Sequence, residues 1–398
     1  MPPKKTAVAK RTIHSQSSWV IHNGNVELAV TELGAHMAPV TFCRDTKYPV
    51  QPYYISPWQD EKTTGLAPVL APLRGDFFCL PFGGNSEPWR GEHHPPHGET
   101  SGNQWKFEKA ARSGKALTLA LSLRTKIRSG SVRREFTLID NQNAIYCRTQ
   151  VEGFTGSTPF AHHAILRMPR QEGALRLSTS PFTVGRTYPF PLARPAEGEY
   201  QWLATDSPFR SLERVPSIFK HEPPGDCSRF PVRPGFCDLL QQFERAPKHA
   251  SPVPSWAAVV NTEENWLWFA LKNPVLMPGR LFWIENRGRH HSPWNGRNSC
   301  LGIEDGCMYF DRGIAESCRP NPISRSGIPT SVRIRRGQTL DVRYIQGAVT
   351  VPEGFDRVAS VRFSEGEAEF RSSSGHTVAV PVETHFLSAK QMTNGSIL

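Results

Sequence analysis

Apolar and polar residues alternate with period two along much of this chain, and the 3.6-residue period of an amphipathic helix is scarce. Leu117-Thr118-Leu119-Ala120-Leu121-Ser122-Leu123 sends every second side chain to one face, the pattern of a half-buried strand. Val132 to Leu138 follows beyond a Ser-Gly turn, and Ala144 to Val151 follows beyond Asp140-Asn141-Gln142-Asn143, so these three segments predict an antiparallel meander. Trp19 to His22 and Val26 to Thr31 flank Asn23-Gly24-Asn25, a hairpin signal. Trp266 to Leu271 and Leu281 to Ile284 are continuously apolar and read as central strands buried on both faces. Thr339 to Ile345 reads as another strand, with closing hairpins over Val358 to Phe370 and Thr377 to Val382.

This pattern predicts an all-β chain: one large antiparallel β-sandwich over residues 19–385, rather than two domains. Residues 181–254 break the alternation. They are rich in Pro, Arg and aromatics and read as an insertion of long loops laid over the sheets. Residues 1–18 read as a disordered basic tail and 386–398 as a C-terminal tail.

Composition changes the picture little. With 38% hydrophobic and 21% charged residues, the 398-residue chain can bury a core. The net charge of +11 is partly in Lys4, Lys5, Lys10 and Arg11 and is otherwise dispersed. No stripe of cations with interleaved aromatics suggests nucleic acid, and no apolar run reaches the ~20 residues that span a bilayer. The start lacks the apolar core of a secretory signal. Of the eight Cys, none forms a C-x-x-C pair, so the expectation is a cytoplasmic protein with reduced thiols and no structural zinc.

The candidate chemistry lies in four stretches. Gly91-Glu92-His93-His94-Pro95-Pro96-His97-Gly98-Glu99 puts three His and two Glu into a loop punctuated by Gly and Pro, where imidazoles face water, a metal or a substrate. Phe160-Ala161-His162-His163-Ala164 places two His on opposite faces of one strand. Trp283 to Arg297 combines Trp294 with Glu285, Asn295, His290, His291 and several Arg, a set suited to sugar: the indole covers C–H groups and the polar groups bind hydroxyls, with Trp294 expected to be exposed. Leu301-Gly302-Ile303-Glu304 ends an apolar strand on a carboxylate that is costly to desolvate unless paired or functional.

In this order the stretches resemble the galactose mutarotase-like (aldose 1-epimerase-like) superfamily. The segment ending at Asn85, with Pro96-His97-Gly98 and Trp105, is similar to the family's first histidine block; His163 with Ala-Ile-Leu-Arg-Met is similar to its second; Leu301 to Glu304 is similar to its glutamate strand. Departures are Glu99 after His97-Gly98, the missing aromatic run after His163, and extra length over 181–254. The resemblance implies an isomerase that opens and recloses a sugar ring by general acid and base catalysis, without metal or other cofactor. It implies Glu304 as base, His163 as acid and His97 on the ring oxygen or a hydroxyl. Arg74, Asn85, His94, His162, Glu285, Trp294 and Asn295 are the expected substrate-binding residues. The expected ligand is a sugar or sugar phosphate; for an anionic one, Arg74, Arg167 and Arg297 are the cations of interest.

Three rivals remain at this level. One is a carbohydrate-binding protein on the same fold without turnover. Another is a metal enzyme using Glu92, His93, His94 and His97, with His290 and His291. The third is a glycan lyase with a Tyr or His base beside a cation.

Overall fold

The computed structural model describes residues 8–245, 253–388 and 392–394. Two large antiparallel sheets face each other, one of eleven strands and one of ten among the described residues. The expected three-strand meander is present as Ala116–Thr125, Gly130–Ile139 and Ala144–Glu152, and an unpredicted strand, Lys106–Ser113, extends it to the end of the ten-stranded sheet. The Asn-Gly hairpin pairs Gln16–His22 with Glu27–Thr31. The three strands Val358–Ser364, Glu367–Ser372 and Thr377–Pro381 make a small sheet of their own. Phe370 of that sheet packs on Phe269, which explains why Trp266–Lys272 is buried along its whole length. No helix of the described residues is long and apolar enough to cross a membrane.

Between the two sheets lies the main core, with Phe78, Leu166, Phe282 and Ile303 from one side and Leu121, Phe136, Trp268 and Tyr344 from the other. A second apolar cluster lies on the outer face of the eleven-stranded sheet, where Phe77, Leu281 and Trp283 are covered by Trp58, Val69, Tyr188, Trp294 and Phe310 from loops. That loop-covered outer face carries the candidate site.

Two regions differ from the sequence reading. Residues 9–18 are not a tail: Ala9–Ile13 pairs with Gln16–His22 and extends the eleven-stranded sheet, while residues 1–7 lie outside those described. Within 181–254, Phe236–Phe243 is an inner strand paired with Gly279–Asn286 over seven residues, and Val184–Thr187 and Pro208–Phe209 continue the sheet beyond it. The reason is chemical. Asp238, Gln241 and Gln242 are buried, which hides the strand from a hydropathy reading. Asp238 accepts from the amides of Trp202 and Leu203, and Gln241 donates to the Met308 carbonyl and accepts from the Phe310 amide. Buried polar groups survive where such partners exist. Residues 246–252 of this stretch lie outside those described, as do 389–391 and 395–398 of the expected C-terminal tail. Met392–Asn394 pairs with the Gln338–Thr350 strand.

Candidate active site

Five neighbouring strands build the floor: Asp76–Cys79, Phe160–Arg167, Ser299–Cys307, Gly279–Asn286 and Phe236–Phe243. Register puts His163 opposite Phe77 on one side and Glu304 on the other. Directly opposed side chains on one face of an antiparallel pair meet. His163 Nε2 and Glu304 Oε1 are 3.3 Å apart, both nearly sealed from solvent. The Phe77 ring stacks on His163 at 4.5 Å, and His36 stacks on the far side of Phe77 at 4.1 Å. The imidazole plane is thereby set by packing.

His97 arrives from the loop. Its backbone is in the left-handed region at φ 59, and the Gly98 that follows, also at positive φ, packs so close to the Leu80 carbonyl that a Cβ would not fit. The turn brings the His97 ring edge-on to His163 at 5.2 Å. Trp283, Trp294, Leu239, Leu73 and Asp311 complete the wall. Arg289 crosses it with its guanidinium 5.3 Å from the Trp283 ring and 4.9 Å from the Trp294 ring, in cation–π geometry. Glu285 holds that arginine in place: one carboxylate oxygen accepts from the amides of Gly288 and Arg289, and the other lies 3.5 Å from Arg289 Nε.

Burial governs the protonation states. It pushes Glu304 well above the usual carboxylate range, helped by the negative Asp311 nearby and opposed by Arg289. Burial also drives His163 well below the usual imidazole value, helped by His97 and His36. His97 is lowered to about 4 by burial, with Arg289 adding to the effect. Asp311 is raised by burial against the pull of Tyr188, Arg289 and Arg312. Burial thus favours the uncharged form of each partner, the protonated carboxyl of Glu304 and the neutral imidazole of His163.

The pocket has unfilled bonding capacity. His97 Nδ1, His163 Nδ1, Trp283 Nε1 and Asp311 Oδ1 are buried, and none has a hydrogen-bond partner. Orphaned buried polar atoms are rare and ask for an explanation. Four around one cavity, offering both donors and acceptors, suit a ligand bearing hydroxyls, which both donate and accept. The free volume is about 80 Å³, room for two or three waters at ~30 Å³ each and far below the ~300 Å³ of a pocket that swallows a whole ligand.

Of the residues expected at the site, the structure brings Glu304, His163, His97 and Trp294 into this pocket. Trp294 is not exposed as expected but buried, edge-on to Trp58 and Trp283. Glu285 stands behind Arg289 rather than in the wall. The other five lie elsewhere. Arg74 is buried and donates to the carbonyls of Ile13, His14 and Pro72 and to Gln59. Asn85 spends its amide on the carbonyls of Pro81, Gly83 and Pro95 and on the Ile314 amide; it locks the His97 loop instead of binding a ligand. His94 pairs with Glu92 at 2.8 Å, which is held in turn by Arg128. His162 faces the inter-sheet core, with Asp76 at 3.0 Å. Asn295 is exposed on the outer loop.

The supposed metal ligands of the His-rich loop do not converge: His93 is exposed, His94 is paired and His97 is in the pocket. Among the described residues, the group close enough to share a cation is exposed Glu197 and His291 with buried Glu199. Arg167 pairs with Glu264 and Arg297 with Glu61, both outside the pocket. Sequence reasoning missed Arg289, Asp311, Trp283 and Leu239. Arg289 had a signal, lying four residues after Glu285 within the Trp283-to-Arg297 stretch; Asp311, beyond the glutamate strand, had none.

No family model and no curated protein sequence matches the chain. Solved structures do. A galactose mutarotase-like protein from Clostridium acetobutylicum superposes with a TM-score of 0.56 at 8% identity, covering 86% of this chain and 98% of the other. An aldose 1-epimerase candidate from Klebsiella pneumoniae gives 0.57 at 12%, covering 86% and 83%. A galactose mutarotase related enzyme from Lactobacillus acidophilus gives 0.53 at 11%, covering 84% and 98%. Identities this low carry the fold and nothing finer.

Proposed function

Because the chain has the galactose mutarotase-like fold, we propose that it is a sugar isomerase of the aldose 1-epimerase type, opening and reclosing a hemiacetal ring between Glu304 and His163. The observation that carries this reading is their 3.3 Å contact at the floor of a pocket with four unpartnered buried polar atoms. An acid and a base within reach of one C–O unit meet the geometric need of ring opening. Neutral His163 takes the proton of the anomeric hydroxyl while protonated Glu304 delivers one to the ring oxygen; rotation about C1–C2 and the reverse transfers close the other anomer. The sequence-based roles were the opposite, but one proton hop across the pair interconverts the two assignments. Trp283 Nε1, His97 and Asp311 offer bonds to neighbouring hydroxyls, and Arg289 favours negative charge developing on oxygen. The small cavity takes the reacting edge of the ring and leaves the remainder at the rim beside Leu70 and Trp294.

The test is anomer exchange by NMR on a panel of hexoses and hexose phosphates, with wild type and Glu304→Gln. Fast exchange that disappears in the variant is the expected result. Sugar binding without exchange would reassign the chain to carbohydrate binding alone, and absence of both would remove the reading.

A further inference from the structure

A polar groove crosses the outer face of the ten-stranded sheet, away from His163 and Glu304. Four strands form it: Lys106–Ser113, Ala116–Thr125, Gly130–Ile139 and Ala144–Glu152. Register arranges its side chains in two rows across the strands. Lys106 faces Ser122, Ser122 faces Arg133 and Arg133 faces Gln150; in the second row Arg124 faces Ser131, which faces Glu152. At ~4.8 Å between strands, the first row is roughly 14 Å long. A register shift between Phe107 and Lys109 bends the outermost strand, as β-bulges do. The resulting hollow holds about 820 Å³.

The lining is polar throughout except for Leu123 and Val132, which are buried. Arg133 is engaged with Glu108 at 2.7 Å and Glu135 at 2.6 Å. Lys106, Arg124 and Lys126 are exposed, and their side chains have no ion-pair partner among the described residues. Asn103, Gln104 and Gln150 add amide groups that both donate and accept.

We propose that this groove is a binding site for an acidic oligosaccharide, a chain of sugar units carrying carboxylate or sulfate groups. Three free cations spread over a floor of hydrogen-bonding side chains, Lys106 in the first row, Arg124 in the second and Lys126 beyond its strand end, suit a ligand that is anionic and hydroxylated along its length. Single-stranded nucleic acid is disfavoured because no aromatic ring lines the groove to stack a base. An acidic peptide is disfavoured on two counts. The backbones of the three inner strands are already paired on both sides, so no strand can be added there. No open apolar pocket is present to anchor a side chain. Glu152 at one end directs the ligand's anionic groups toward Lys106 and Arg124.

Calorimetry on the full chain at low ionic strength tests the site. The probes are an oligogalacturonate and a heparin-derived oligosaccharide, whose relative affinities separate carboxylate from sulfate recognition. A neutral maltooligosaccharide, oligothymidylate and polyglutamate serve as comparisons. Binding of at least one acidic oligosaccharide is expected, weakened at least tenfold in the double variant Arg124→Glu/Lys126→Glu and unchanged in Glu304→Gln. Both substituted side chains are exposed, so the variant should fold, and its circular dichroism spectrum should match that of the wild type. The proposal is overturned if neither acidic sugar binds, if the neutral sugar binds equally well, if the double variant keeps wild-type affinity, or if oligothymidylate or polyglutamate binds as tightly.

Discussion

The strands Phe160–Arg167 and Ser299–Cys307 carry two histidine–carboxylate cross-strand pairs, one on each face. On the outer face His163 meets Glu304; one residue along, on the inner face, His162 lies opposite Asp305. The residue types match and both faces are buried, yet the environments diverge. Asp305 accepts from Arg280 at 2.9 Å and Tyr344 at 2.8 Å, with Lys272 at 3.1 Å. Burial alone would raise its carboxyl, but Arg280, Lys272 and Tyr344 together hold it below the usual range. His162 bonds to Asp76, which also faces Arg134, and stacks on Tyr344 at 4.4 Å. Because Arg134, Lys272 and Tyr344 belong to the other sheet, this network ties the sheets together. Glu304 has no Lys or Arg in ion-pair contact among the described residues, and burial pushes its carboxyl well above the usual range. The lesson is that the counter-charges around a buried His–carboxylate pair decide whether its carboxyl is held below or pushed above the usual range.

The contrast can be broken most forcefully at Asp305. Asp305→Asn leaves Arg280 and Lys272 buried without their shared anion, which costs ~3–5 kcal/mol; a denaturant titration should show it as a large drop in midpoint. Glu304→Gln replaces a protonated carboxyl with a neutral amide of similar shape, so stability should move by only ~1 kcal/mol, while sugar exchange falls by ~10²–10⁴. Equal destabilisation by the two substitutions would erase the distinction between the faces.

Acid and base titrations sharpen it. Glu304 binds its proton more tightly folded than unfolded, so its contribution to stability is full below the usual carboxylate pKa and is lost as pH rises through the folded value. Asp305 behaves oppositely: its contribution is present above the usual value and is lost as pH falls. His97, lowered to about 4, resists protonation when folded, so stability falls as pH drops from the ordinary imidazole range toward 4. Melting curves across this range should have a shallower acid slope in His97→Asn, where Asn tolerates the left-handed backbone. A slope unchanged from wild type would mean that His97 is not the group responsible. The smallest effect is expected outside the pocket, where Arg297 Nη2 reaches Glu61 at 2.7 Å on the surface. Arg297→Ala should change stability by less than ~1 kcal/mol, measurable as a near-zero shift in midpoint.

Sequence reading recovered long strands with one-sided burial, where alternation marks the strand directly, as in Ala116–Thr125, and missed the short Val184–Thr187. It failed at Phe236–Phe243, whose interior polar residues are satisfied by chain remote in sequence. The site follows the same division. The resemblance to the mutarotase-like superfamily, resting on short motifs in order, pointed to Glu304, His163 and His97, which share one pocket. Arg74 and Asn85 carry suitable groups too, but their partners at Ile13, Gln59 and Ile314 are set by the fold and leave no local trace. For His162 and His163 the strand was legible and its phase was not, since a one-residue slip exchanges the faces.

Gly302 lies two residues before Glu304 on the same face, and a Cβ there would sit 3.0 Å from the Trp283 Cβ and 3.2 Å from Glu304 Oε1. Any larger residue must displace either the wall of the pocket or its carboxyl. In a saturation library, position 302 should therefore tolerate almost no replacement under selection for turnover, while a screen for folded protein alone admits alanine more readily. The shortest side chain in the motif would then be among its least exchangeable letters.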